Sequence, residues 1–176
     1  RRLAKKRILG ALDGAASHAR GAILSRTHFA RFLVERGHAR DLKQAFKYFL
    51  TRGKPGYVPG RWAPLADAVR WIRGAGGTAV VAHPARYKLT AGKLARLLGE
   101  FKECGGEAIE VVTGSHDAET CRHFGRLARE RGLLASVGSD YHGPGQSWCD
   151  LGQTLPLPED CTPVWQAWAG RPAAVC

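Results

Sequence analysis

Three observations predict an α/β protein. In the second half of the chain, short apolar runs alternate with amphipathic helical stretches. Each apolar run ends in residues able to do chemistry. A loop rich in glycine and proline separates that half from an earlier, wholly helical stretch. This alternation implies βαβ units and a parallel sheet or barrel.

The chain opens on Arg1-Arg2-Leu3-Ala4-Lys5-Lys6-Arg7-Ile8-Leu9, which reads as the polar face of a helix under way at the chain start. Gly10 and Asp13 break the apolar run a signal peptide needs. Arg26 to Gly37 is helical, with Phe29, Phe32, Leu33 and Arg36 at three- and four-residue spacing and glycine at the end. Asp41 to Leu50 is a second helix with Leu42, Ala45, Phe46 and Phe49 on one face. Thr51 to Pro64 holds Gly53, Pro55, Gly56, Pro59 and Gly60 and is a loop. A third helix runs from Pro64 to Arg73, with proline in its first turn.

From there the period changes. Thr78 to Ala82 is a strand ending at His83-Pro84. Thr90 to Cys104 is a helix with Leu94, Leu97, Leu98 and Phe101 on one face. Glu107 to Val112 is a strand followed by Thr113-Gly114-Ser115-His116, and His116 to Arg131 is a helix. Leu133 to Val137 is a third strand, running into Gly138-Ser139-Asp140-Tyr141-His142.

Composition bounds the function. The 176 residues suit one domain, and 27 Lys plus Arg against 15 Asp plus Glu leave a net charge of +12. That charge favours anionic partners such as nucleotides or RNA, against the plainer reading of a solubilising surface. The longest uncharged apolar run, Gly77 to Ala82, is far below the ~20 residues of a membrane span. Five widely spaced cysteines with no CxxC pair argue against a disulfide framework or a cysteine zinc site, and place the chain in a reducing cytoplasm. No Met occurs anywhere, so the chain is expected to be processed or part of something longer.

In α/β barrels, functional residues lie just past the carboxyl ends of the strands. The first and third strands deliver His83, Asp140 and His142 to that rim. In an extended segment, residues two apart point to one side, so the Asp140 carboxylate and the His142 imidazole converge. A mixed oxygen and nitrogen donor set suits Mn²⁺, Fe²⁺ or Zn²⁺ better than Mg²⁺ or Ca²⁺. Gly138 before the pair and Gly143-Pro144-Gly145 after it shape a close-approach loop. Arg26 and Arg86 stand open between phosphate clamps and solvated surface charges. By its residues alone, His28 is a histidine at the start of an amphipathic helix. His116 keeps a chance of touching ligand, and His123 is structural. Glu110 is expected to face the barrel interior or a cationic neighbour, and is not counted as a ligand. No Walker A loop, GxSxG elbow or GxGxxG fingerprint occurs.

Four segments, in order, resemble the PHP (polymerase and histidinol phosphatase) metal-dependent phosphoesterases. They are Arg26-Thr27-His28-Phe29-Ala30-Arg31-Phe32-Leu33, Gly53-Lys54-Pro55-Gly56-Tyr57-Val58-Pro59, Gly76 through Tyr87, and Gly138 through His142. The resemblance extends to Pro163-Val164-Trp165. It implies the C-terminal portion of a distorted (β/α)₇ barrel: one domain over 1–176, with a helical insertion at about 17–71 over the active site and barrel βα units at about 72–176. It assigns metal ligation to His28, His83, Asp140 and His142, and phosphate contact to Arg26 and Arg86. It implies up to three divalent ions, most often Mn²⁺. The implied substrates are 3′,5′-bisphosphonucleotides, short oligonucleotides and RNA 5′ ends, with no membrane and no obligate protein partner.

The family's His-x-His strand, a following acidic residue, an Asp-His pair and a later Glu have no counterpart here. A barrel of ~250 residues exceeds this chain, so roughly the first third is expected to be missing and the fragment alone inactive. Two alternatives stand beside the enzyme. One is a truncated, non-catalytic, basic nucleic-acid-binding fragment. The other is a degraded product with exposed strand edges and no stable function.

Overall fold

A computed structural model describes residues 1–60, 62–143, 147 and 149–169. Pro144 and Gly145, named above, and Cys176, one of the five cysteines, lie outside them. The chain forms two compact units, Arg1–Trp62 and Ala63–Cys176.

The first unit is helical. Its basic start is a single 3₁₀ turn, Ala4–Lys6, and not a longer helix, because left-handed Arg7 (φ 60°) reverses the backbone. Leu3 and Ile8 are thereby turned into the core. Helix α1 (Ala11–Ser17) packs on α2 (Arg26–Glu35). A Cβ at Gly14 would sit 2.1 Å from the Phe32 ring, so glycine is what lets that ring, itself buried, lie against α1. Gly37, left-handed at φ 70°, follows α2, as its sequence predicts. The helix expected over Asp41–Leu50 is two pieces. The Asp41 carboxylate accepts from the Gln44 amide at 2.6 Å and caps α3 (Leu42–Ala45), which widens into a π-helical turn, Phe46–Leu50. That turn closes where the Thr51 amide reaches back five residues to the Phe46 carbonyl.

The second unit carries the sheet. It begins with α4 (Leu65–Gly74), for which Pro64 is the N-cap. Then β1 (Val80–Val81), α5 (Ala91–Glu103), β2 (Ala108–Thr113), α6 (Ala118–Glu130) and β3 (Leu134–Gly138) alternate. The strands pair in the order β1-β2-β3, all parallel. Among the described residues they form a three-stranded sheet and not a closed barrel. Val80 lies opposite Ala108, and Ala108 opposite Leu134. The register slips between Glu110 and Val112, so β2 carries an irregularity near its carboxyl end.

Strand β1 keeps only the middle of its apolar run, and at its carboxyl end the backbone leaves the sheet at left-handed His83, after which Pro84 begins a 3₁₀ turn. Ile109, Val111 and Val112 of β2 are fully buried against Leu98 and Phe101 of α5 and Phe124 of α6. Near-continuous burial is what a central parallel strand covered on both faces requires. Thr90 and Asp117 cap α5 and α6 through Lys93 and Thr120 amides. The Thr120 amide holds the Asp117 carboxyl below the usual carboxylate range. Past β3, the Ala135 amide bonds to the Thr162 carbonyl at 2.9 Å, and Pro163 bridges to Ala135. No helix among the described residues is long and apolar enough to cross a membrane. Cys104, Cys121, Cys149 and Cys161 form no disulfide.

Candidate functional site

The residues predicted for the site fall in both units. Arg26 and His28 belong to the helical unit, and His83, Arg86, Asp140 and His142 to the α/β unit.

In the α/β unit the rim of the sheet is built by two matched departures from β geometry. His83 lies two residues past β1 and Asp140 two residues past β3, and both are left-handed, at φ 32° and 52°. Non-glycine residues rarely take this conformation, and a residue before proline is ordinarily held extended. Backbone strain of this kind concentrates at functional sites.

Each residue on the rim has a defined partner. The Arg86 guanidinium donates to Asp140 Oδ2, tying the turn after β1 to the turn after β3. Arg86 is half exposed while Asp140 is largely covered, so solvent screens the cation more than the anion. His142 Nδ1 donates to the Asp140 carbonyl at 2.6 Å, and its backbone amide donates to Ser147 Oγ at 2.6 Å. A carbonyl can only accept, so the Nδ1 proton leaves a lone pair on Nε2 when the ring is neutral. Histidines that bind metals are commonly prepared this way. His83 Nδ1 is buried and has no hydrogen-bond partner, an unsatisfied donor or acceptor inside the protein.

The donor chemistry therefore fits a divalent ion in part. Two imidazoles and a carboxylate stand at the strand ends, one imidazole with its lone pair freed. Arg86 occupies the carboxylate that a metal would take. Among the described residues, no three His, Cys, Asp or Glu side chains converge closely enough to hold a metal.

His28 is prepared differently. It is the third residue of α2, and its Nδ1 accepts the Ser25 backbone amide proton at 3.1 Å. It thus takes the place of the glutamate or glutamine of a capping box. With Nδ1 accepting, the neutral ring carries its proton on Nε2 and offers a donor. To ligate a metal through either nitrogen, the ring must give up the Ser25 bond, since freeing Nε2 moves its proton onto Nδ1. The Arg26 guanidinium lies 5.9 Å from the centre of the Phe46 ring, a cation–π contact.

Residues set aside in the sequence also find places. His116 is buried, donates from Nδ1 to the Val111 carbonyl at 2.9 Å and stacks on Phe124, so it belongs to the core. His123 meets the Phe124 ring edge to face. Glu110 does not meet a cationic side chain at its shortest contact. Its Oε2 accepts the backbone amide of His83 at 2.5 Å. The Tyr87 ring lies edge-on to His83, and burial first, then the Glu110 charge, pushes the Tyr87 hydroxyl above its ordinary pKa. Sequence reading passed over this role of Glu110. The available signal was a lone carboxylate inside the apolar run Ala-Ile-Glu-Val-Val.

No family model matches the chain. Curated relatives do. The chain is 46% identical over 165 residues to a 3′,5′-nucleoside bisphosphate phosphatase of Chromobacterium violaceum, covering 93% of this chain and 58% of that protein. It is 46% identical over 167 residues to the 5′-3′ exoribonuclease Rnm of Escherichia coli K12, covering 95% and 57%. Among solved structures, it matches a Chromobacterium violaceum amidohydrolase with bound sulfate and no metal. That match has a TM-score of 0.85 and 45% identity, over 96% of this chain and 58% of the other. A Bifidobacterium adolescentis protein provisionally described as a metal-dependent phosphoesterase matches at a TM-score of 0.67 and 23% identity, over 89% and 54%, and shares the fold. The chain thus spans a little under three-fifths of the length of the curated relatives it matches. It is homologous to proteins bearing both names, as the resemblance of its motifs implied.

Proposed function

We propose, from this homology, that the chain carries part of the active site of a divalent-metal phosphoesterase acting on 3′,5′-bisphosphonucleotides, short oligonucleotides and RNA 5′ ends. The observation that carries the reading is the 46% identity to a bisphosphate phosphatase and to a 5′-3′ exoribonuclease over nearly the whole of this chain. Both relatives are named for phosphoester cleavage. That solved relative holds a sulfate, a tetrahedral dianion of phosphate's shape.

His83, Asp140 and His142 would hold the metal, Mn²⁺ in this reading. In the helical unit, His28 would take a metal only after releasing Ser25. Bound divalent ions supply Lewis acidity and a water acidified toward neutral pKa. The chain's own residues supply the rest. His142 presents Nε2 because the Asp140 carbonyl holds its other nitrogen. Arg86, exposed and forked, can leave Asp140 for a phosphoryl oxygen pair, which it grips bidentately. That exchange frees the carboxylate as the phosphate arrives, so one side chain couples substrate binding to ligand release. In the helical unit, Arg26 is a second candidate phosphate contact, steadied by Phe46.

A chimera tests this: the chain replaces the matching part of the Chromobacterium violaceum phosphatase. With Mn²⁺, the chimera is expected to release phosphate from adenosine 3′,5′-bisphosphate and mononucleotides from a short 5′-phosphorylated RNA. Asp140→Asn should lower both by ~100-fold or more. A folded chimera with neither activity sinks the proposal. The net charge of +12 favours one second reading, a basic nucleic-acid-binding fragment. Under it, the isolated chain binds RNA with steep salt dependence and no response to Mn²⁺.

A further inference from the structure

We propose that Glu110 is a positioning residue of this site: it fixes the backbone turn that presents the His83 imidazole, and it touches neither metal nor substrate. The role of His83 as a metal ligand rests on the reading above; the contact between Glu110 and His83 does not.

Glu110 lies on the central strand, and it alone in β2 escapes full burial. The register slip that follows it is the kind of irregularity that re-aims a side chain beside an active site. Its two carboxylate oxygens face different neighbours. Oε2 accepts the His83 amide at 2.5 Å. Oε1 occupies the space at the end of β3, where a Cβ on residue 138 would come within 2.3 Å. One carboxylate therefore fills the gap between the ends of both edge strands. A side chain at position 138 would push the carboxylate from its place. His83 has a reason to need this acceptor. It is left-handed and precedes proline, a backbone state that local preferences oppose. A charge-assisted hydrogen bond to its amide offsets that opposition. Tyr87, edge-on to the same imidazole, closes the third side.

The experiment uses the 176-residue chain with Glu110→Ala, Glu110→Gln, Gly138→Ala and His83→Ala variants. Amide proton NMR reads the contact, and Mn²⁺ titration reads the site. In the wild type, the His83 amide proton should lie far downfield and exchange slowly. Glu110→Ala should move it upfield and weaken Mn²⁺ binding by roughly 10- to 100-fold, the range for groups that orient a ligand. Glu110→Gln keeps an acceptor oxygen and should recover most of that loss. Gly138→Ala leaves Glu110 in the chain, displaces its carboxylate and should reproduce the Glu110→Ala shift in part. An unmoved His83 amide in Glu110→Ala overturns the proposal. So does a Glu110→Gln variant that loses the ion as completely as His83→Ala, since that marks Glu110 as a ligand. If Glu110→Ala does not fold, Glu110→Gln and Gly138→Ala decide by the same amide. A wild-type chain that binds no Mn²⁺ counts against the proposed function and its metal-ligand role for His83, while the amide shifts still judge the contact.

Discussion

In the helical unit, His28 is held by Ser25, three positions away. In the α/β unit, His83 is held by Glu110, 27 positions away, and Asp140 by Arg86, 54 positions away. The first arrangement is a helix cap and forms whenever α2 forms. The second exists only when the sheet has assembled, because the partners come from different strands or from the turns that follow them. The helical unit thus presents its imidazole by local chemistry, and the α/β unit presents its groups by topology. The difference also sets what each ring offers: a proton on Nε2 of His28, and a lone pair on Nε2 of His142.

The largest expected effect tests whether the two units are separate in stability as well as in contacts. Phe32 is 1% exposed in the helical core, so Phe32→Ala should cost about 3–5 kcal/mol. Hydrogen exchange should then show lost protection in α1 and α2 and retained protection in β2. Equal loss in both would mean that the units unfold as one.

A smaller effect comes from Arg86→Ala. The guanidinium is half exposed, so its pair with Asp140 should stabilise the fold by no more than ~1 kcal/mol in thermal melts. Its chemical effect is sharper and runs in two directions. Removing the competing cation should tighten Mn²⁺ binding by the chain severalfold, while phosphate release by the chimera falls. If both fall together, Arg86 supports the metal site and does not compete with it.

The smallest effect concerns the cap. His28→Ala removes one capping hydrogen bond and should cost ~0.5–1 kcal/mol in urea unfolding. His28→Gln should restore it, because glutamine at this position completes a capping box with Ser25. The glutamine variant then separates stability from chemistry: a role for the imidazole predicts a stable chimera with reduced activity. Equal losses for alanine and glutamine would dissolve the contrast between a locally held and a topologically held histidine.

The order of elements was legible from the residues. Leu94, Leu98 and Phe101 mark one face of α5. Helical periodicity and capping are local properties, so a single chain displays them. The strand-end positions of His83, Asp140 and His142 were legible for the same reason, since apolar runs show where strands stop. The point where β1 stops was not, because a left-handed residue before Pro84 takes the backbone out of the sheet. The split of Asp41–Leu50 into α3 and a π-helical turn also escaped, since both pieces share one apolar face.

Residue pattern alone settles the α/β class, the parallel alternation and the inventory of donors at the strand ends. What those donors do depends on the folded arrangement. The fold sets Arg86 on Asp140, Glu110 under the His83 amide and the Asp140 carbonyl against His142 Nδ1. Pattern and propensity act over a few residues, whereas partner choice depends on which strand ends the sheet brings together and on the sign of φ at each.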